Sequence, residues 1–302
     1  MIYAGRQGKR RRLLPYLFLA PALLVLALTI LYPRVSNMAM STQRVQLLRG
    51  GGGEFIGTEN YGKLAGSRTF RSSLACSLQF VGLSLPLALV LGLGLALLLN
   101  ELRKGRPLLM ACLLIPWAIS PVVTGYMWRW LFHDSFGLVN HLLVSAGIVD
   151  QGVPWLARPG AAMAAVVTAN VWRFMPYTTI MLLAGLQGIP RDLYEAAHVD
   201  GAGVVRRLWH ITLPQLRHVL AVVFLFATIW MANEFPLIFI MTEGGPAKAT
   251  QVLPITIYQI AFEFLRLGRG AAASMVLLVF LLLVSIVFIR LLFREEVAAR
   301  ER

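Results

Sequence analysis

The chain has 302 residues, 58% of them hydrophobic and 14% charged, with a mean hydropathy of +0.70. Soluble domains run at about 45–50% apolar and about 25% charged, so this composition excludes an ordinary soluble globule. The net charge of +14 would suggest nucleic acid in a soluble protein, but here the charges fall between apolar runs and act as topology marks.

In chain order the apolar runs cover 13–32, 74–99, 108–132, 160–186, 219–241 and 272–289. Each is long enough to span a bilayer, which about 20 helical residues cross once. The expected fold is all-α integral membrane, one bundle of six transmembrane helices. Residues 1–12 read as a basic tail, 13–73 as the first helix with its outer loop, 74–290 as the core, and 291–302 as a second tail. The first run follows Lys9, Arg10, Arg11 and Arg12, as a secretory signal would. Its length beyond a typical h-region and the lack of an A-x-A site favour an uncleaved anchor. Cys76 and Cys112 lie inside apolar runs, too few for a disulfide scaffold, and read as buried free thiols. Gly50 to Gly53 reads as a flexible turn.

Orientation follows from Lys and Arg in the connections. The N-terminal tail, the 101–107 turn, the 187–218 loop and the stretch from Arg290 onward carry sixteen, and the connections on the other side carry ten. Both termini are therefore expected on the cytoplasmic side, with the short Arg103-Lys104-Gly105-Arg106 turn weighing most.

Between the fourth and fifth runs, Pro190 at a first helical position, Asp192 and Glu195 in the opening turns and a stop at Gly201 mark a helix of roughly ten residues. At 1.5 Å per residue it is about 15 Å long, too short to cross hydrocarbon. Leu193, Ala196 and Ala197 share one side and form a small apolar knob flanked by Arg191, Glu195 and Asp200. A second piece, 204–211, is expected to stop at Thr212-Leu213-Pro214. On local physics the first helix reads equally as an interfacial cap on the bundle.

Glu195-Ala196-Ala197, three residues, Gly201, nine residues, then Ile211-x-Leu213-Pro214 resembles the E-A-A-x3-G-x9-I-x-L-P loop of the membrane subunits of bacterial binding-protein-dependent ABC importers. Leu183-Ala184-Gly185-Leu186-Gln187-x-Ile189-Pro190, Thr242-x-Gly244-Gly245-Pro246-Ala247, Tyr258-Gln259-x-Ala261-Phe262 and Phe55-Ile56-Gly57-x-Glu59-Asn60-Tyr61 are similar to the carbohydrate branch, the first-subunit type of maltose and glycerol-phosphate systems. The maltose-type subunit has extra N-terminal spans and an inserted outer domain, for which this chain has no room, so only the six-span core is carried over.

The resemblance implies a permease subunit of a sugar importer in the bacterial inner membrane. Arg191, Glu195, Ala196, Ala197, Asp200 and Gly201 would form a coupling helix docked on a cytoplasmic ATPase. It implies two ATPase copies, a second and non-identical permease chain, and an extracytoplasmic sugar-binding protein, with no nucleic acid. The chain has no G-x-x-x-x-G-K-[ST] stretch, so ATP and Mg are expected on the partner ATPase and no cofactor on this chain. The histidines show no metal-ligand spacing, and neither a metal site nor a catalytic constellation is expected.

Polar residues within spans are costly and mark candidate pathways. Asn170, Arg173 and Tyr177 share a helical face, as do Trp230, Asn233 and Glu234. Rings there could stack on a sugar while amide and carboxylate groups bond its hydroxyls. Alignment to the maltose-type subunit through the shared motifs places Asn170, Tyr177, Trp230 and Met231 at its sugar site, and Arg173 and Phe174 depart from it. Arg173 with Glu234 reads equally as an interhelical ion pair, and Trp128 and Arg129 read as interface anchors. An ion-coupled secondary transporter, with Arg173 and Glu234 as coupling residues, is the competing reading; neither the inverted repeats nor the broken helices usual in such folds are visible in the sequence.

Overall fold

A computed structural model of the chain describes residues 18–46, 53–102 and 104–300, with side chains up to residue 290. The basic tail 1–12, the start of the first apolar run, most of the glycine tract and the side chains of the 291–302 tail lie outside the described residues. The described chain is mostly helical and divides into two units. One holds the chain up to Ser67 with Ile257–Leu278, the other Arg68–Thr256 with Val279 onward. Residues 257–278, expected within the 74–290 core, thus belong with the N-terminal unit, where the Gly268 N–H donates to the Val45 carbonyl at 3.2 Å.

In the first unit, α1 (Phe18–Ser41) exposes apolar side chains along its whole length. It runs beyond the expected end at Tyr32, because one π turn, Ala27–Leu31, opens the helix just ahead of Pro33. A wider turn relieves the clash of a proline ring with the carbonyl four residues back. A two-stranded antiparallel hairpin follows, β1 (Gln43–Arg44) on β2 (Glu54–Phe55), and then the short helix α2 (Glu59–Gly66). Buried Asn60 ties the three together by donating from Nδ2 to the Ser41 and Gln43 carbonyls, each at 2.9 Å.

The second unit is built on α3 (Arg68–Glu101) and α7 (Pro159–Gln187), with the short helix α6 (Leu138–Ser145) in the connection before α7. Ser84, Ala88, Gly92 and Ala96 recur every fourth residue on α3 and are all buried. Lipid tails are as apolar as leucine, so helices in a membrane associate through close packing of small residues and hydrogen bonds rather than water exclusion. Both are present here. Thr178 Oγ1 on α7 donates to the Ala88 carbonyl at 2.9 Å, and a Cβ on Gly92 would run into Thr178 Oγ1 and lie 2.8 Å from its Cβ. Gly92→Leu is expected to lower the melting temperature of the purified chain through overpacking of about 1–3 kcal/mol or more. Gly94→Leu, where a Cβ meets nothing within 4 Å, is expected to leave it unchanged.

Four described helices are long and apolar enough to cross a membrane: Phe18–Ser41, Arg68–Glu101, Val204–Ala232 and Leu267–Arg290. The third expected span is not straight. It is α4 (Arg106–Ala118) and α5 (Pro121–Leu131), bent by 94°, and counts as a fifth span if the pair is taken as one. Pro121 drives its predecessors out of the helical region, and Ile119 and Ser120 are both extended. The fourth expected span is a 29-residue helix, α7, but Asn170, Arg173, Pro176, Tyr177, Thr178 and Thr179 interrupt its apolar run. It tolerates them because half of its length is buried in protein rather than facing lipid.

After the short helix α8 (Arg191–Val199), α9 (Val204–Ala232) runs unbroken past Pro214. The expected stop at Thr212 is replaced by a π turn, Leu208–Thr212, which relieves Pro214 as its counterpart does Pro33. The fifth expected span, 219–241, is instead broken at Asn233–Phe235, and a separate helix, α10 (Pro236–Thr242), packs on α5. Gly125 permits the approach, since a Cβ there would lie 2.9 Å from the Ile240 Cβ, and Arg129 Nη1 donates to the Ile240 carbonyl at 3.0 Å. Then come α11 (Leu253–Tyr258) and α12 (Leu267–Arg300), whose backbone stays helical into the expected tail.

Cys76 is buried as expected, but Cys112 is exposed on α4. Trp128 is not an interface anchor: it packs into the core between Phe132 and Trp172, with ring centroids 5.3 and 5.7 Å away.

Candidate functional site

Two places in the second unit gather the residues singled out in the sequence. The first is the helix α8. Pro190 is its N-cap rather than its first helical residue, with extended ψ of 132°. At its other end Gly201, at φ +71°, donates its N–H to the His198 carbonyl, and Ala202 donates to that of Ala197. This is a Schellman stop, whose left-handed residue suits glycine. One side chain anchors the helix: Tyr194 packs against the cluster of Leu99, Leu182, Leu186 and Leu216, and its hydroxyl lies 3.0 Å from Thr212 Oγ1. Arg191, Glu195, Ala196 and Asp200 are exposed, Ala197 is half-buried, and α8 buries no residue. None of these charged groups forms an ion pair among the described residues. The helix is fixed at its tyrosine and open along its charged face.

The second place lies between α7 and the break after α9. Arg173 Nη1 donates to Glu234 Oε2 at 2.9 Å, with the side chains 18% and 9% exposed. The other carboxylate oxygen of Glu234 accepts the Leu237 N–H at 3.2 Å, so one side chain holds both α7 and the first turn of α10. Glu234 and Asn233 were expected to continue the helical face of Trp230. Instead the helix ends at Ala232, because Pro236 cannot donate to the carbonyl four residues back. Asn233 is exposed, and its Nδ2 donates to the Ile229 carbonyl at 2.7 Å.

Beside the ion pair stands an aromatic group. Tyr177 lies 5.2 Å from Phe174, 5.3 Å from Trp230 and 6.4 Å from Trp117, centroid to centroid, and Trp230 meets Phe174 edge-on at 5.5 Å. Trp117, at the end of α4, completes the cluster; nothing in the sequence singles it out, whereas Phe174, Tyr177 and Trp230 stand in the two polar stretches named there. Trp117 and Trp230 are each more than 40% exposed, so the cluster has an open side. Met231 is 2% exposed and packs in the core. Asn170 is 1% exposed, and its Nδ2 and the Nε of Arg173 are sealed from water without a partner. Unpaired buried donors of this kind are uncommon and call for an acceptor.

Comparison with known proteins supplies what geometry cannot. The family described as "Binding-protein-dependent transport system inner membrane component" matches residues 88–297. The chain is 38% identical over 281 residues, 93% of its length and 91% of the relative's, to the sulfoquinovosyl glycerol transport system permease protein SmoG of Agrobacterium fabrum. It is 37% identical, over 93% of its length and 94% of the relative's, to the trehalose/maltose transport system permease protein MalF of Thermococcus litoralis. Among solved structures, the bacterial alginate ABC transporter in complex with alginate pentasaccharide-bound periplasmic protein contains a chain with a TM-score of 0.80, 23% identity and coverage of 93% and 94%. That likeness is one of fold. The chain is a multi-pass membrane protein that belongs to the binding-protein-dependent transport system inner membrane components, the permeases of ABC importers.

Proposed function

We propose that this chain forms half of the translocation pathway of an ATP-driven carbohydrate importer and receives its drive through α8. The observation that carries the reading is the E-A-A helix, pinned by Tyr194, stopped at Gly201 and exposed along Arg191, Glu195 and Asp200. The sugar follows from the relatives, whose names specify sulfoquinovosyl glycerol and trehalose/maltose. In this reading α7 and the bent pair α4–α5 each count as a crossing, which gives six spans with both termini cytoplasmic. The partners are a second, non-identical permease chain, two copies of an ATPase that binds ATP and Mg, and an extracytoplasmic sugar-binding protein. This chain needs no cofactor of its own.

Closure of the ATPases would move α8 as a rigid lever on the bundle and switch the pathway between outward and inward opening. A sugar biases that equilibrium only by binding the two states unequally. The open side of the Trp117, Phe174, Tyr177 and Trp230 cluster offers ring faces to a pyranose. The test is reconstitution of the chain with its partner subunits and binding protein, with ATP hydrolysis read against a sugar panel. Stimulation by one sugar supports the reading. Sugar transport by the chain alone under an ion gradient overturns it.

In the same assay Trp230→Ala is expected to raise the sugar concentration for half-maximal stimulation about three- to tenfold, the loss of one ring contact. An unaltered dose response would remove Trp230 from the pathway.

A further inference from the structure

A cleft in the first unit gathers Arg44, Lys63, Arg266 and Arg269 around Asn60. Two of these cations are neutralised locally. Arg44 lies 3.1 Å from both Glu54 and Glu59, and Lys63 pairs with Glu59, whose carboxyl is held below its usual range first by Lys63 and then by Arg44. The other two are not. Neither Arg266 nor Arg269 has a carboxylate within ion-pair distance among the described residues, and the Nε of Arg269 is closed to water and without a partner. Both stand at the start of α12, where the helix dipole is positive and repels cations. Among the described residues the cleft thus holds more cationic side chains than its two carboxylates, Glu54 and Glu59, pair with.

Its depth is set by α12. The apolar run of α12 begins at Ala271, two residues after Arg269. Arg266 and Arg269 therefore stand where hydrocarbon gives way to headgroups. We propose that the cleft binds a phosphate-type oxyanion presented by an anionic phospholipid headgroup. Guanidinium forks match phosphate oxygens two at a time, and basic pockets beside spans select anionic headgroups. The inference is independent of which solute the importer carries.

The test is a melting titration of the full-length chain with its partner subunits, delipidated in detergent, against phosphatidylglycerol, phosphatidylcholine and inorganic phosphate. Phosphatidylglycerol is expected to raise the melting temperature at lower concentrations than phosphatidylcholine. Arg266→Gln and Arg269→Gln are each expected to move that midpoint about tenfold upward, the loss of one charge-assisted bond. Arg266 is exposed, so its variant keeps the test open if Arg269→Gln fails to fold. An equal response to inorganic phosphate keeps the oxyanion site and overturns the lipid source. No response to any of the three, or a response unmoved in the folded variants, overturns the site.

Discussion

Glu195→Lys is expected to reduce solute uptake by about 30-fold or more while leaving the chain inserted at its normal level. The side chain is exposed and forms no ion pair among the described residues, so the substitution falls in the class that changes folding by no more than about 0.5 kcal/mol. The features that build the helix, the Tyr194 anchor and the Gly201 stop, are untouched. On a partner ATPase the same carboxylate would become a desolvated, hydrogen-bonded charge. Removing one member of such a pair costs about 2–5 kcal/mol, and reversing its sign adds repulsion. The measurement is uptake of labelled solute in intact cells against chain content of the membrane. Normal uptake at normal content would detach α8 from the drive.

That α8 could be read so far in advance reflects how local its signals are. A proline, two acids in the opening turns and a glycine that must adopt positive φ all act within a dozen residues, and the structure differs only in making Pro190 the cap. The spans were legible as apolar runs and their breaks were not. Pro33 and Pro214 are absorbed by π turns, whereas Pro121 and Pro236 end helices, and the local sequence does not say which will happen. What decides is packing: α5 and α10 cross at Gly125 and Ile240, 115 positions apart, and each needs the other to be broken off. The aromatic cluster failed to show for the same reason, since Trp117 reaches Tyr177 from 60 positions away. Asn140 is a further case, a buried hub that accepts from the Val153 N–H and the Trp155 indole and donates to three carbonyls. It sits on the short helix α6, and nothing around it in the sequence marks it as a hub.

Arg173→Met and Glu234→Gln are each expected to destabilise the purified assembly strongly, and the double variant less than either alone. The pair is nearly closed to solvent, so each single change strands one charge where water cannot reach it, at a cost of about 3–5 kcal/mol. The double variant strands neither, and glutamine keeps an oxygen for the Leu237 N–H, so the first turn of α10 retains its acceptor. The coupling energy from the cycle, read by thermal unfolding in lipid nanodiscs, is expected at about 2 kcal/mol or above, within the range for residues of one ionic network. Its position gives it a role beyond stability. The pair joins α7, which carries half of the aromatic cluster, to the break that separates α9 from α10. A pathway that opens by moving these elements past one another must stretch or part that contact. The double variant is therefore expected to recover folding without recovering the wild-type link between sugar and ATP hydrolysis. Additive single effects on melting would show instead that the two side chains do not hold each other, and the contact would lose its place at the centre of the site.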